Sequence, residues 1–550
     1  DPNAARALIA SAERLLEGEW RVFGVQCSQL GPDPDWFTDP RTGRRAPERT
    51  YCFHIDHRAE QTVGNIKYVW ELSRHHHLTV LASAYYLTRD ERYARRVAEH
   101  LTSWWRENPF LSGVHWTSGI EVAIRLIAWV WVRRLLDGWP GAAGLFEENP
   151  LALRQLHDHQ RYVATLHSHG SSANNHLVAE AAGLFAAACA VPWFEESAAW
   201  RTRAAGILRR EIARQTFECG LNREMATDYH GFVLELALAA ALEGEAAGVS
   251  LGAETWARLR RMTDAVASMV DVAMRAPRQG DSDDASGLLL GDPAYDRWGA
   301  LLGTGAVLFG ALDWWPRREG ADVRTTLWTA LATAPRDLPG GRPALRRSLF
   351  EDAGMVILRD RGLTDDEIWC RCDHGPLGFL SLAAHGHAAA LSIEVRYGGV
   401  DVLADPGTYC YHGEPRWRAY FRSTLGHNTL EVDGENQSVD GGAFMWLRHA
   451  RARLLAAEGL DAGHVASWEA EHDGYARLDA PAIHRRTVAL DRERRTLGIV
   501  DALQSAGAHD CRLAFHLGDT VDCTLVGSEA ELRWPARDGT TRSARLTLPA

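Results

Sequence analysis

His385 and His387 stand two residues apart in "LAAHGHAAALSIEVRYGGVDVLADPG", at the entrance to an apolar, β-branched run. On a strand, residues i and i+2 point to one face, so the spacing predicts two neighbouring imidazoles at the edge of a buried sheet. Imidazole pairs serve as packed core, as metal ligands or as proton-transfer groups. Asp405 and His427, the latter in "RWRAYFRSTLGHNTL", complete a set of two histidines and a carboxylate suited to a transition metal. The spacing is too long to be a metal signature by itself.

Two further clusters carry more polar groups than a core requires. In "LHSHGSSANNHLVAEAAGLF", Asn174, Asn175 and His176 open an apolar helical run. One Asn suffices as a helix cap; the others remain for an anion at the positive end of the helix, so cap and site both stay open. In "CGLNREMATDYHGFVLELALAA", Tyr229 and His230 open another helical run after Asn222, Arg223 and Glu224. Tyr229 is a packing residue or, beside a cation, a proton carrier.

Weaker candidates have plainer readings. His75, His76 and His77 on one helix point in different directions, make a poor chelate and are expected at the surface. "GDSDDASG" (280–287) lacks EF-hand grammar and reads as an acidic turn. Glu121 and Arg125, four apart, read as an intrahelical pair. Ser171 and Ser172 lack a nucleophile-elbow context. Cys370 and Cys372 read as buried thiols.

The elements that must hold these residues fall into two halves. Helical periodicity runs from about Ala4 to Thr333, with stretches at Ile66–Leu87, Asp90–Asn108, Ile120–Leu136, Asn175–Ala190, Trp200–Gln215 and Tyr229–Ala247, joined by short connectors. That rhythm predicts helical hairpins in a bundle, solenoid or toroid. After "APRDLPGGRPALRRS" (334–348) the pattern becomes short alternating runs broken by Gly, Asp and Asn, which predicts an antiparallel sandwich. The division predicted is 1–335 helical and 345–550 β.

With 550 residues, at least two domains are expected. A net charge of −12 argues against nucleic acid as a partner, yet allows an anionic ligand in a locally basic cleft. Nine cysteines show no disulfide-framework spacing, and no apolar run is long enough to span a membrane. No signal-type segment is visible after Asp1.

Taken in order, "IKYVWELSR", "WTSGIEVAIR", "NNHLVAEAAGLF", "NREMATDYHGFVLELAL", "HGHAAALSIEV" and "LADPGTYCYHGEPRWRAYFRSTLGHNTLEVDGENQS" resemble the heparinase II/III-like polysaccharide lyases, in particular the broad-specificity glycosaminoglycan lyases. The likeness covers about residues 60 to 450. It implies an (α/α) toroid followed by antiparallel β-sheets, and β-elimination at a uronic acid to leave a 4,5-unsaturated uronate. Asn175 and His176 match the positions that neutralise the uronate carboxylate, Tyr229 the catalytic Tyr, and His385 a His that takes the C5 proton from the opposite face. Tyr on one side and His on the other would serve both glucuronate and iduronate. His387, Asp405 and His427 match a structural site for one divalent metal ion (Zn, Mn or Ca), with no organic cofactor. A bend at Gly386 would separate His385 from His387.

Trp116, Arg125, Asn174, His230, Arg416, Arg418 and Arg422 are candidates to hold the anionic polysaccharide. The resemblance implies a bacterial, secreted or periplasmic enzyme acting on hyaluronan, chondroitin sulfate or heparan sulfate; it leaves the oligomeric state open. One departure stands out: Ala389 occupies a position where the family commonly has Asp. Three alternatives are an alginate or other polyuronate lyase, a non-catalytic carbohydrate-binding relative, and an (α/α)-toroid glycoside hydrolase using Glu224 and Asp228.

Overall fold

A computed structural model describes residues 1–27, 31, 33–282, 284–317, 320–332 and 337–549. Helices fill the chain from Pro2–Leu16 to Val323–Thr329, and the strands of the second half begin at Leu349–Phe350. Residues 334–336 of the Pro/Gly stretch between them lie outside the described residues.

The helical half is built of long helices packed on one another. Gly119–Leu135, Asn175–Ala190 and Thr227–Ala246 pack side by side and are buried almost all round, which is why their sequences lack a polar face. Small residues let them approach: a Cβ on Gly183 would meet the Ala123 carbonyl oxygen at 2.5 Å. The run read as one helix from Ile66 to Leu87 is two, Ile66–Ser73 and His76–Thr88, broken where His75 takes a left-handed backbone with φ of 65°.

The break turns His75, His76 and His77 inward, against the surface position expected of them; all three are buried. His75 accepts the Trp129 indole N–H at 2.7 Å, His77 bonds His100 at 3.2 Å, and Trp36 and Trp104 pack edge-on against His75. These rings form a buried His/Trp layer in the helical half.

Among the described residues of the second half, the strands form antiparallel meanders. A five-stranded sheet runs Leu349–Phe350, Met355–Arg359, Ile368–Asp373, Ile393–Tyr397, Val400–Leu403, and a four-stranded sheet runs Ala452–Glu458, Val465–His472, Ala482–Asp491, Thr496–Ser505. Their inner faces share one core: Val356, Leu358, Cys370 and Ile393 against Trp468, Ala470, Val488 and Leu490. Cys370 and Cys372 are buried free thiols on the inner face, with sulfurs 4.0 Å apart. A third sheet, Asp522–Val526, Glu529–Pro535 and Thr541–Thr547, packs Leu532 and Trp534 beside Val402.

Buried charges join the halves. Arg396, on a strand, pairs with Asp271 at 3.2 Å and with Asp401 at 2.8 Å, and donates to the Arg275 and Ala276 carbonyls.

Candidate active site

A cleft of about 420 Å³ lies where the end of the toroid meets the sandwich, lined by Lys67, Asn175, His176, Glu180, Tyr229 and His385 among others. Lys67, Asn175, His176 and Tyr229 come from the first turns of helices. Asn174 caps its helix, its Oδ1 accepting the His176 N–H at 3.2 Å, which leaves Asn175 in the first turn facing inward. Tyr229 sits in the first turn of Thr227–Ala246. His385 and His387 lie in the irregular segment before Ile393–Tyr397, not on a strand as expected.

The anion at the helix start is the protein's own. Glu224 Oε1 accepts the Asn175 backbone N–H at 3.0 Å, and Oε2 accepts its side-chain N–H at 2.7 Å. Burial raises the Glu224 carboxyl above the usual range, while His385 and the Asn175 bonds pull the other way. Asn175 Oδ1 is buried with no hydrogen-bond partner among the described residues.

The Tyr229 and His385 rings stack, with centroids 3.9 Å apart and planes 22° from parallel. No sugar ring fits between rings in contact, so the expectation that they flank a substrate on opposite faces does not hold in this structure. The Tyr229 hydroxyl is 3.0 Å from the Tyr411 hydroxyl, and the Tyr411 ring carries Lys67 Nζ at 4.4 Å and the Arg418 guanidinium at 5.0 Å.

His385 and His387 converge on one residue the sequence reading passed over. Asp281 accepts from His385 Nδ1 at 3.0 Å and from His387 Nε2 at 2.9 Å, and both its oxygens are forked by Arg418, one at 2.8 Å. Burial alone would raise the Asp281 carboxyl; Arg418 and the two histidines hold it well below the usual carboxylate range. Asp281 belongs to the "GDSDDASG" stretch read as an acidic turn, and nothing local marks it off from Asp284. Tyr411 was likewise missed. Gly386 is needed for space, not for a left-handed bend: a Cβ there would lie 1.8 Å from the Leu377 carbonyl oxygen.

His387 and His427 stack obliquely, with centroids 5.2 Å apart. His387 Nδ1 and His427 Nε2 are buried without a partner among the described residues, as metal-binding nitrogens would be. Burial holds His387 neutral, lowering it to about 4. Asp405 spends Oδ2 on His427 Nδ1 at 2.7 Å and Oδ1 on the Gly407 N–H at 2.9 Å. Burial would raise Asp405, but His427, with His387 and Arg371, brings it down to about 2. Among the described residues no three His, Cys, Asp or Glu side chains are gathered as a ready ligand set. The residues therefore fit a metal through two imidazoles, with Asp405 orienting His427 in place of the third ligand expected.

Several residues expected at the substrate are elsewhere. Trp116 is fully buried against His159, with ring centroids 4.4 Å apart. Arg125 is fully buried, donating to His159 and to the Ser73 and His115 carbonyls, and burial lowers it to about 9. It does not pair with Glu121, which takes Arg74 at 2.7 Å. His230 lies behind the cleft, bonded to the Asn222 N–H and the Met262 carbonyl. Arg422 is buried on Asp440 and over Trp446. Arg416 is exposed on the helix Pro415–Arg422. Of the arginines named, Arg418 reaches the site, through Asp281. Ser171 and Ser172 are exposed at the cleft rim. Asp228 bonds Ser282 at a separate cavity, so it does not face Glu224 across the cleft as a hydrolase pair would.

Two family models match the chain, the heparinase II/III N-terminus over residues 37–292 and the heparinase II/III-like C-terminal model over 342–546. The chain belongs to the heparinase II/III-like family. Among curated relatives of the family, a heparin-sulfate lyase of Pedobacter heparinus is 24% identical over 387 residues, covering 67% of this chain and 52% of that protein. One of Bacteroides stercoris is 22% identical over 416 residues, covering 71% and 57%. The chain thus spans about half the length of the curated relatives it matches. In fold it is similar to the crystal structure of heparinase III (TM-score 0.64, 17% identity, 98% of this chain and 81% of that one). It is also similar to heparan sulfate lyase HepC of Pedobacter heparinus (TM-score 0.57, 18% identity, 98% and 74%). These likenesses establish the toroid-and-sandwich fold.

Proposed function

We propose that this protein is a polysaccharide lyase that cleaves uronate-containing glycosaminoglycans by β-elimination. The observation that carries the reading is the meeting of Tyr229, His385 and Asn175 at one cleft between the halves. The names of the family relatives, heparin-sulfate lyases, support it.

Elimination needs the C5 proton removed beside a carboxylate whose negative charge resists it. Asn175, His176 and the cations Arg58 and Lys67 line the cleft where that carboxylate would be held and its developing charge stabilised. Tyr229, as phenolate, takes the C5 proton; the electron pair forms the C4–C5 double bond as the C4–O bond breaks. The same proton then passes from Tyr229 to the departing oxygen. Lys67 and Arg418 beside Tyr411 supply positive charge next to the phenol pair. His385, stacked on Tyr229, buttresses the ring from the same wall.

A single wall suits a syn elimination. In glucuronate the C5 hydrogen and the C4 oxygen are gauche and leave from one side, whereas in iduronate they are anti. Glucuronate in heparan sulfate, hyaluronan or chondroitin is therefore the proposed substrate class, ahead of iduronate.

His387 and His427 would hold a divalent ion of the zinc or manganese type; two imidazole donors do not suit calcium. Such an ion would brace the segment carrying His385.

Ultraviolet absorbance of unsaturated uronate, read over heparan sulfate, hyaluronan, chondroitin sulfate and alginate, tests the reading. Tyr229→Phe should lower kcat by about 10²- to 10⁴-fold. A flat trace for the folded wild-type protein on all four polymers would favour a carbohydrate-binding role instead.

A further inference from the structure

We propose that Asp281 is a positioning residue of this site, reaching from the helical half to set the tautomer of His385 and hold its ring against Tyr229. The proposal rests on the lyase reading for its kinetic consequence, and on geometry alone for the tautomer.

A carboxylate in a fork from Arg418 accepts hydrogen bonds and donates none. Its contact with His385 Nδ1 therefore places a proton on Nδ1, and in the neutral imidazole leaves Nε2 bare. That bare nitrogen lies 3.7 Å from Glu224 Oε2, the carboxylate that holds Asn175. One carboxylate thereby decides which face of His385 the cleft meets.

The main chain grips the same segment. The Asp281 N–H donates to the His385 carbonyl at 2.9 Å, and the Thr227 N–H donates to the Gln279 carbonyl at 2.9 Å. Residues 279–281 are thus a strap between the first turn of the Tyr229 helix and the His385 segment. Gly280, at φ of 64°, passes so close that a Cβ would lie 2.4 Å from the Met225 carbonyl oxygen and 2.7 Å from that of His385. Tyr229 and His385 belong to different halves of the molecule, and this strap keeps their rings in contact.

The test uses the full chain as purified, labelled with ¹⁵N-histidine, with His385→Gln to assign the resonance. The wild type should show His385 protonated at Nδ1 and bare at Nε2, and Asp281→Asn should lose that preference. On heparan sulfate, Asp281→Asn should lower kcat by about 100-fold while KM stays within about 3-fold. An Nε2–H tautomer in the wild type, or a folded Asp281→Asn with kcat within about 3-fold of wild type, would overturn the proposal. If Asp281→Asn does not fold, the wild-type spectrum still decides the tautomer. If the wild type forms no unsaturated uronate on any polymer, the lyase reading fails, and the spectrum still judges Asp281.

Discussion

At the scale of single residues, the cleft holds a carboxyl whose protonation is set by its surroundings. Burial pushes Glu180 up to about 7, although the Ser168 N–H and hydroxyl both donate to it. A folded-state pKa above the ordinary value adds stability that is present below the ordinary pKa and lost as pH rises through about 7. Glu180→Gln, which can satisfy both Ser168 groups without a charge, should match wild type in melting temperature at pH 5. By pH 8 it should be the more stable protein by about 2–3 kcal/mol. A gap that fails to widen with pH would show that Glu180 is not buried as a neutral acid.

At the scale of elements, the segment from His374 to Ser392 has little regular structure, so its shape depends on a few tight contacts. Gly386 is one, pressed on the Leu377 carbonyl. Gly386→Ala should cost about 1–3 kcal/mol in denaturant unfolding and abolish turnover, since His385 and His387 flank it. Wild-type stability in that variant would mean the segment yields easily. The paired imidazoles give a second prediction. Metal content by elemental analysis should fall in His387→Ala and in His427→Ala, and persist in His385→Ala; retention of metal by both former variants would remove the site.

At the scale of the whole molecule, the toroid core is sensitive to acid. Burial lowers His75, His77 and His159 well below 6.5, His100 to about 4 and His115 to about 3. Depressed folded-state values mean that the unfolded chain binds more protons below pH 6.5. The stability these histidines contribute is present above that pH and lost as it falls, each by about 1.4 kcal/mol per pH unit at most. Glu180 opposes this with one proton. Urea midpoints should therefore drop steeply between pH 7.5 and 5.5, with a slope of several protons; a flat profile would contradict a neutral His core. The Arg396 network predicts that both halves unfold together, and Arg396→Ala should cost about 3 kcal/mol by removing the buried cation that Asp271 and Asp401 share, Arg275 remaining on both. Two separated transitions in the wild type would argue otherwise.

What the chain reveals on its own is whatever depends on local periodicity and local chemistry. The 3.6-residue rhythm marks the helices to within a few residues at Asn175–Ala190 and Thr227–Ala246, and period-two runs mark the hairpins of the sandwich. Asn175, Tyr229 and His385 stand out because polar groups at the start of apolar runs need a reason. The tertiary structure decided what those groups meet. Asp281 lies 104 residues before His385, and no pattern in an acidic stretch says that one carboxylate will be buried under Arg418 and two histidines. Arg125 and Trp116 resemble ligand-holding residues by type, yet packing turns them into the core, where backbone carbonyls and other rings satisfy them. The stacking of Tyr229 on His385, which puts both on one wall, arises only where the toroid and the sandwich close on each other, because contacts between halves carry no periodicity.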